Sequence, residues 1–207
     1  MAINWNSTHF LKSAPSVALS VPDVGREIAF VGRSNAGKSS VLNTICGIRS
    51  LARTSKTPGR TQLINYFECL PDCRLVDLPG YGYAKLPQKA RWEIERLLQD
   101  YLYNRICLYG VCLVLDIRRG LTHFDKDLIE IALQRDLYVH IMLNKADKLS
   151  RGAAQNVLLS IKRDLAIWEG KVSLQCFSAL LGYGLDEARE KLQWWFEAPE
   201  EELSQTG

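Results

Sequence analysis

The 207-residue chain reads as one α/β domain built on a parallel sheet. Three observations carry this reading. Short apolar runs alternate with longer stretches of helical period, as parallel strands joined by crossover helices require. Apolar residues make up 47% and charged residues 24%, a globular composition that leaves little room for extended disorder. Finally, the apolar run Ile28-Ala29-Phe30-Val31 leads directly into Gly32-Arg33-Ser34-Asn35-Ala36-Gly37-Lys38-Ser39, which has P-loop spacing and is followed by a helix-compatible stretch, Ser40 to Cys46.

Residues 1–25 pass through Pro15, Pro22 and Gly25 and read as an irregular extension ahead of a main domain over 26–196. The candidate strands are Glu27–Val31, Leu63–Cys69, Arg74–Asp77, Val111–Asp116, Tyr138–Leu143 and Val172–Phe177. Between them, Ile94, Leu97, Leu98, Tyr101 and Leu102 recur at i, i+3, i+4, i+7 and i+8, one apolar helix face. Val157, Ile161, Leu165 and Trp168 form a second such stripe, and Leu185, Ala188, Leu192 and Trp195 a third; the tryptophans read as packing residues. The segment 197–207 is acidic, interrupted by Pro199, and reads as a solvated tail.

Composition excludes several classes. A net charge of +3 is too small to argue for nucleic acid by itself, so any basic surface must come from clustering. The six cysteines form no CxxC pair and mostly sit in apolar runs, which argues against a metal centre and for a reducing cytoplasm. No apolar stretch approaches the length of a membrane span, and neither a signal peptide nor a C-terminal prenylation box is read.

Five segments carry chemistry. In the P-loop, Gly32 and Gly37 let the backbone wrap a polyphosphate, Lys38 neutralises its β and γ oxygens, and Ser39 offers a hydroxyl to Mg²⁺. Asp77-Leu78-Pro79-Gly80 ends a strand, where Asp77 would hold Mg²⁺ through a water and the Gly80 N–H would reach a γ-phosphate. Asn144-Lys145-Ala146-Asp147 ends another, so that Asp147 would accept the two parallel donors of guanine, Asn144 brace the loop and Lys145 cover a ring face. Phe177-Ser178-Ala179-Leu180 follows the next strand and would aim the Ala179 N–H at guanine O6. The loop Thr54–Thr61 would supply a switch hydroxyl to Mg²⁺, with Thr61 preferred over Thr57. Arg49, Arg53, Lys56 and Arg60 make that region the most basic part of the chain, either an RNA-facing patch or a solvated loop.

Together GRSNAGKSS, TSKTPGRTQLINYFE, DLPGYGYA, NKADK and FSAL closely resemble the EngB (YihA/YsxC) family of bacterial GTPases, over roughly residues 20–196. The resemblance implies a Ras-like fold, α/β with helices on both faces of a mostly parallel six-stranded sheet whose second strand is antiparallel. It implies a cytoplasmic, monomeric GTPase that binds no DNA and no membrane. Such a protein acts in assembly of the large ribosomal subunit, with rRNA and ribosomal proteins as partners, and is needed for normal division and septation. Carried onto this chain, GTP or GDP contacts fall on Gly32–Ser39, on Gly59, Arg60, Thr61, Gln62 and Leu63, on Asp77–Gly80, on Asn144–Asp147 and on Phe177–Leu180. Magnesium falls on Ser39 and Thr61, and on Asp77 through water.

Many small GTPases place a glutamine after DxxG to orient the attacking water; here the position is Tyr81, so hydrolysis by the isolated chain is expected to be slow. Catalysis would then rest on Lys38, Thr61, Gly80 and a supplied group. Asn35 either helps hold K⁺ beside the β–γ bridge or only braces the loop, and nothing in the sequence aims Arg33 or Arg60 as an arginine finger. Tyr81, Gly82, Tyr83 and Lys85 either form a partner-reading switch or fold back on the core. The competing function is a nucleotide-dependent binding module for a division or membrane protein, with incidental hydrolysis.

Overall fold

The computed structural model describes residues 3–52, 63–168 and 170–198. Seven strands form one sheet in the order β1-β3-β4-β2-β5-β6-β7: β1 (His9–Ala14), β2 (Arg26–Gly32), β3 (Ile64–Leu70), β4 (Cys73–Asp77), β5 (Leu108–Asp116), β6 (Tyr138–Asn144) and β7 (Val172–Cys176). From β4 to β7 every pairing is parallel, whereas β3 runs antiparallel to both β4 and β1. All nine residues of β5 are buried, as expected of a central strand covered on both faces.

The five helices are α1 (Lys38–Cys46), α2 (Gln88–Asn104), α3 (His123–Gln134), α4 (Arg151–Asp164) and α5 (Leu185–Glu197). One core joins the outward face of the sheet to Ile94, Leu98, Leu128, Ile129 and Ile161 of α2, α3 and α4. The other, on the opposite face, joins Val41, Leu42 and Ile45 of α1 to Ala188, Leu192 and Trp195 of α5. Gly110 is what admits Trp195: a Cβ there would stand 2.5 Å from the indole.

Two elements depart from the sequence reading. The extension expected to be irregular contributes β1, so the sheet has seven strands rather than six. Four of its six residues are exposed, and its partner β3 lies fifty residues or more away, so no local alternation marks it. Helix α3 was not anticipated either, although Thr122 caps it with the Asp125 N–H while the Asp125 carboxylate returns a bond to the Thr122 N–H, a reciprocal capping box. The third stripe held as α5, while the second is split: α4 stops at Asp164 and Trp168 packs from a short 3₁₀ turn. In the segment expected to be a solvated tail, Ala198 is buried and its carbonyl accepts a 2.5 Å bond from Arg26, and residues 199–207 lie outside the described residues.

Candidate functional site

Four of the five segments singled out in the sequence, the P-loop, Asp77–Gly80, Asn144–Asp147 and Phe177–Leu180, meet at one edge of the molecule, beyond the C-terminal ends of the parallel strands, where open α/β sheets bind ligands. Gly32 closes β2 against β5, and a Cβ on it would meet the Val114 carbonyl oxygen at 2.4 Å. Asn35 and Gly37 both have positive φ, 67° and 95°, which turns the loop inward before α1 begins at Lys38. A Cβ on Gly37 would stand 2.3 Å from Asn144 Nδ2, so this glycine is required by both backbone and contact.

At the head of α1 the Lys38 ammonium pairs with the Asp77 carboxylate, and Ser39 Oγ donates to the same group at 3.3 Å. Strand β4, parallel to β2, is what brings Asp77 there: Phe30 stands opposite Asp77 in register. Ala36 is buried in the loop, while Arg33 and Ser34 are half-exposed and Asn35 is exposed. The Ser34 N–H donates to the Tyr81 carbonyl at 2.8 Å, tying the P-loop to the segment after DxxG. Gly80 passes so near that its Cβ would lie 3.3 Å from Ser34 Cα. Leu78 and Pro79 are buried, Leu78 in the core, so they offer the site backbone only.

The base-reading loops are braced against the P-loop by one amide. Asn144 donates to the Ala36 carbonyl at 2.8 Å and accepts from the Ala179 N–H at 3.1 Å, which links P-loop, β6 and β7 ends. The Ala179 N–H, expected to face guanine O6, is therefore engaged inside the protein. Lys145, at φ 65°, reaches back along the P-loop: its ammonium donates to the Asn35 carbonyl at 2.5 Å and to Asp116 at 2.9 Å. The Asp147 carboxylate accepts from Ser178 Oγ at 2.6 Å and pairs with Lys148 at 3.0 Å. The hydroxyl of Ser178 and then Lys148 hold its pKa below the ordinary carboxylate value, so Asp147 is an ionised acceptor at neutral pH. The Ala146 N–H bonds the Phe177 carbonyl at 3.0 Å, while the Phe177 ring is fully buried and takes no part in the cleft. Leu180 is exposed.

Gly59, Arg60, Thr61 and Gln62, with the alternative Thr57 and the basic residues Arg53 and Lys56, lie outside the described residues; Leu63 is described and half-buried ahead of β3. Among the described residues no three His, Cys, Asp or Glu side chains gather as a metal site. What the head of α1 and the end of β4 offer instead is the Ser39 hydroxyl and the Asp77 carboxylate, hard oxygen donors that fit Mg²⁺ bound partly by phosphate and water.

Two residues escaped the sequence reading. Asp116 closes β5 beside the P-loop; the Arg118 fork, with the Lys145 ammonium, drives its pKa far down and makes it the fixed counter-charge that orients Lys145. A carboxylate at the end of a predicted parallel strand was the signal available. The other is Asp125: Tyr81 is 2% exposed, and its phenol donates to the Asp125 carboxylate inside the protein. The Tyr81 ring meets Phe124 edge-on at 4.8 Å, so of the two readings left open for Tyr81 the structure shows the one in which it folds back on the core.

Residues 27–145 match the family model described as 50S ribosome-binding GTPase. The probable GTP-binding protein EngB of Pasteurella multocida (strain Pm70) is 48% identical over 194 residues, covering 94% of this chain and 95% of the relative. The protein of the same name from Coxiella burnetii (strain RSA 331 / Henzerling II) is 50% identical over 192 residues, covering 93% and 94%. Among solved structures, a probable GTP-binding protein engB superposes with a TM-score of 0.67 at 22% identity, over 84% of this chain and all of that one. An Aquifex aeolicus Era variant bound to GDP and AlF4⁻ does so with a TM-score of 0.62 at 20% identity, over 81% of this chain and 56% of that one. At such identities the structural likeness speaks for the fold, whereas near-half identity along almost the whole sequence speaks for descent. The chain belongs to the EngB family of GTP-binding GTPases.

Proposed function

We propose that this protein is a slow, magnesium-dependent GTPase that binds the large ribosomal subunit or its precursor according to nucleotide state, in the cytoplasm and as a monomer. The observation that supports the ribosomal part is the family description, 50S ribosome-binding GTPase, over residues 27–145. The nucleotide part rests on geometry, namely the meeting of Lys38, Ser39 and Asp77 at one end of the P-loop and of Asn144, Asp147 and Ser178 at the other. A defect in cell division and septation would follow from a shortage of ribosomes.

In this reading the ionised Asp147 accepts guanine N1–H and its 2-amino group, and an adenine would leave that carboxylate unpaired. Lys38 exchanges Asp77 for the β and γ oxygens, and Gly80 offers its N–H to the γ-phosphate. Ser39, Thr61 and, through water, Asp77 would hold Mg²⁺, which neutralises charge on the transferring phosphoryl group. The Tyr81 hydroxyl is turned away onto Asp125, which leaves no side chain at the usual glutamine position to orient water and supports slow turnover. Asn35 stands exposed on the loop, accessible to a K⁺ ion beside the phosphates. Turnover in KCl above that in NaCl is the result expected; equal rates remove the potassium role.

Sedimentation with large-subunit particles, in GTP, GDP and no nucleotide, tests the proposal. Co-sedimentation strongest in GTP is expected. Absence from the particles in all three states, with binding to a division protein or to membranes instead, would overturn it.

A further inference from the structure

Helix α2 begins seven residues after Tyr81 and buries Ile94, Leu98, Tyr101 and Leu102 against the core. Its opposite face carries Trp92, a residue 62% exposed. An exposed indole of that size is informative, because burial would remove far more apolar surface from water than for most side chains. The remaining tryptophans of the described chain have visible roles. Trp5 and Trp195 are buried, Trp168 packs on the core, and Trp194 meets Tyr138 edge-on at 5.0 Å with Lys191 over its ring. Among the described residues, no ring or cation is placed against Trp92 in the same way.

Its neighbours are basic. Lys89 and Arg96 stand three residues before and four after Trp92, on one exposed stripe of the helix, and Lys85 is exposed in the turn ahead. Over residues 85–96 there are four basic side chains, Lys85, Lys89, Arg91 and Arg96, against two acidic ones, Glu93 and Glu95. The next exposed aromatic on this side of α2 is Tyr103, eleven residues on, and no aliphatic side chain of the helix is exposed beside Trp92. A flat ring set among cations matches unpaired RNA, whose bases stack on aromatic faces while phosphates take the charge.

We propose that this face of α2, Trp92 with Lys85, Lys89 and Arg96, binds unpaired RNA by base stacking and phosphate neutralisation. The proposal rests on the ribosomal reading above, and it places the RNA contact on the helix that follows the γ-phosphate-sensing Gly80.

The test uses the full chain and an unstructured oligoribonucleotide, with affinity read by anisotropy, and large-subunit particles, read by sedimentation. Trp92→Ala should weaken oligonucleotide binding by about 5- to 150-fold, the range for losing one stacked base, and Trp92→Phe should restore most of it. Lys89→Gln with Arg96→Gln should weaken binding and flatten its salt dependence. All variants should bind GTP as the parent does, because none of these side chains lies in the nucleotide site. If the Trp92→Ala variant holds the oligonucleotide and the particles as tightly as the parent, the inference falls and the ribosomal reading stands. A Trp92-dependent response to anionic vesicles with none to RNA also overturns it. If the parent itself fails to sediment with particles in any nucleotide state, the ribosomal reading fails and the inference falls with it.

Discussion

Asp147, the residue proposed to read the base, is held by two neighbours. Ser178 and Lys148 keep the carboxylate ionised and fix both oxygens, so that a base with two parallel donors completes the set. Replacing it by Asn sets the amide NH2 against one of the two guanine donors; GTP affinity should fall by roughly 10⁴-fold and preference move toward xanthosine triphosphate, as competition binding would show. Tyr81 makes the opposite case, a residue at a catalytic position that acts in the core. Burial and the adjacent Asp125 charge push the phenol pKa well up, so its proton stays on the hydrogen bond. In Tyr81→Phe, Asp125 keeps both Thr122 donors but loses the phenol, at a cost of about 1–3 kcal/mol. Thermal melting should drop by about 2–12 °C for a chain of this size, with basal GTP turnover unchanged. A turnover change without a melting change would mean that the phenol works in the active site.

The same distinction between local pattern and distant partner runs through the elements. Strands β2 to β7 were legible because each is an apolar run bounded by turn residues, and α2 and α5 because their buried faces repeat at helical spacing. Strand β1 and helix α3 were not. The first takes its meaning from β3, far along the chain, and the second announces itself through Thr122 and Asp125, a capping box with aspartate where glutamate is the common form. Strand β6 yields a prediction of its own. His140 is buried between Ser173 Oγ at 2.8 Å and Gln175 Oε1 at 2.8 Å on β7. Burial, despite the Gln175 bond and aided by Lys191, lowers its pKa from 6.5 to about 4. The unfolded chain therefore takes up the proton first as pH falls. Stability from the neutral ring is whole above pH 6.5 and is lost on the way down to about 4. Urea unfolding at pH 7 and pH 4.5 should show a loss of about 2–3 kcal/mol that His140→Gln does not share.

On the scale of the whole molecule, the sheet has a working end and an anchored end. At the anchored end Glu27 is fully buried and pairs with Arg74 at 2.9 Å and Arg105 at 2.6 Å, with the Tyr101 phenol also donating to it. Arg74 and Arg105 also reach the carbonyl of Pro22, and Arg74 that of Val24, so the cluster binds the N-terminal segment to β2, β4 and the end of α2. Removing the shared carboxylate strands two buried guanidinium groups. Glu27→Ala should cost about 3–5 kcal/mol and lower melting by about 6–20 °C. Glu27 and Gly32 stand at opposite ends of β2, roughly 17 Å apart at strand spacing, so the folded protein should keep its GTP affinity. Weak GTP binding by a folded variant would show that the two ends are coupled.

The sequence by itself determined the fold class and the GTP-binding family, because each motif is a short backbone phrase whose spacing suits one chemistry. Tertiary structure alone decided how those phrases are joined: Lys38 to Asp77 across 39 residues, Tyr81 to Asp125 across 44, and Asn144 to Ala36 across 108. Spacing within a motif is set by local geometry, whereas the meeting of two motifs is set by strand order and register, which no stretch of residues carries alone.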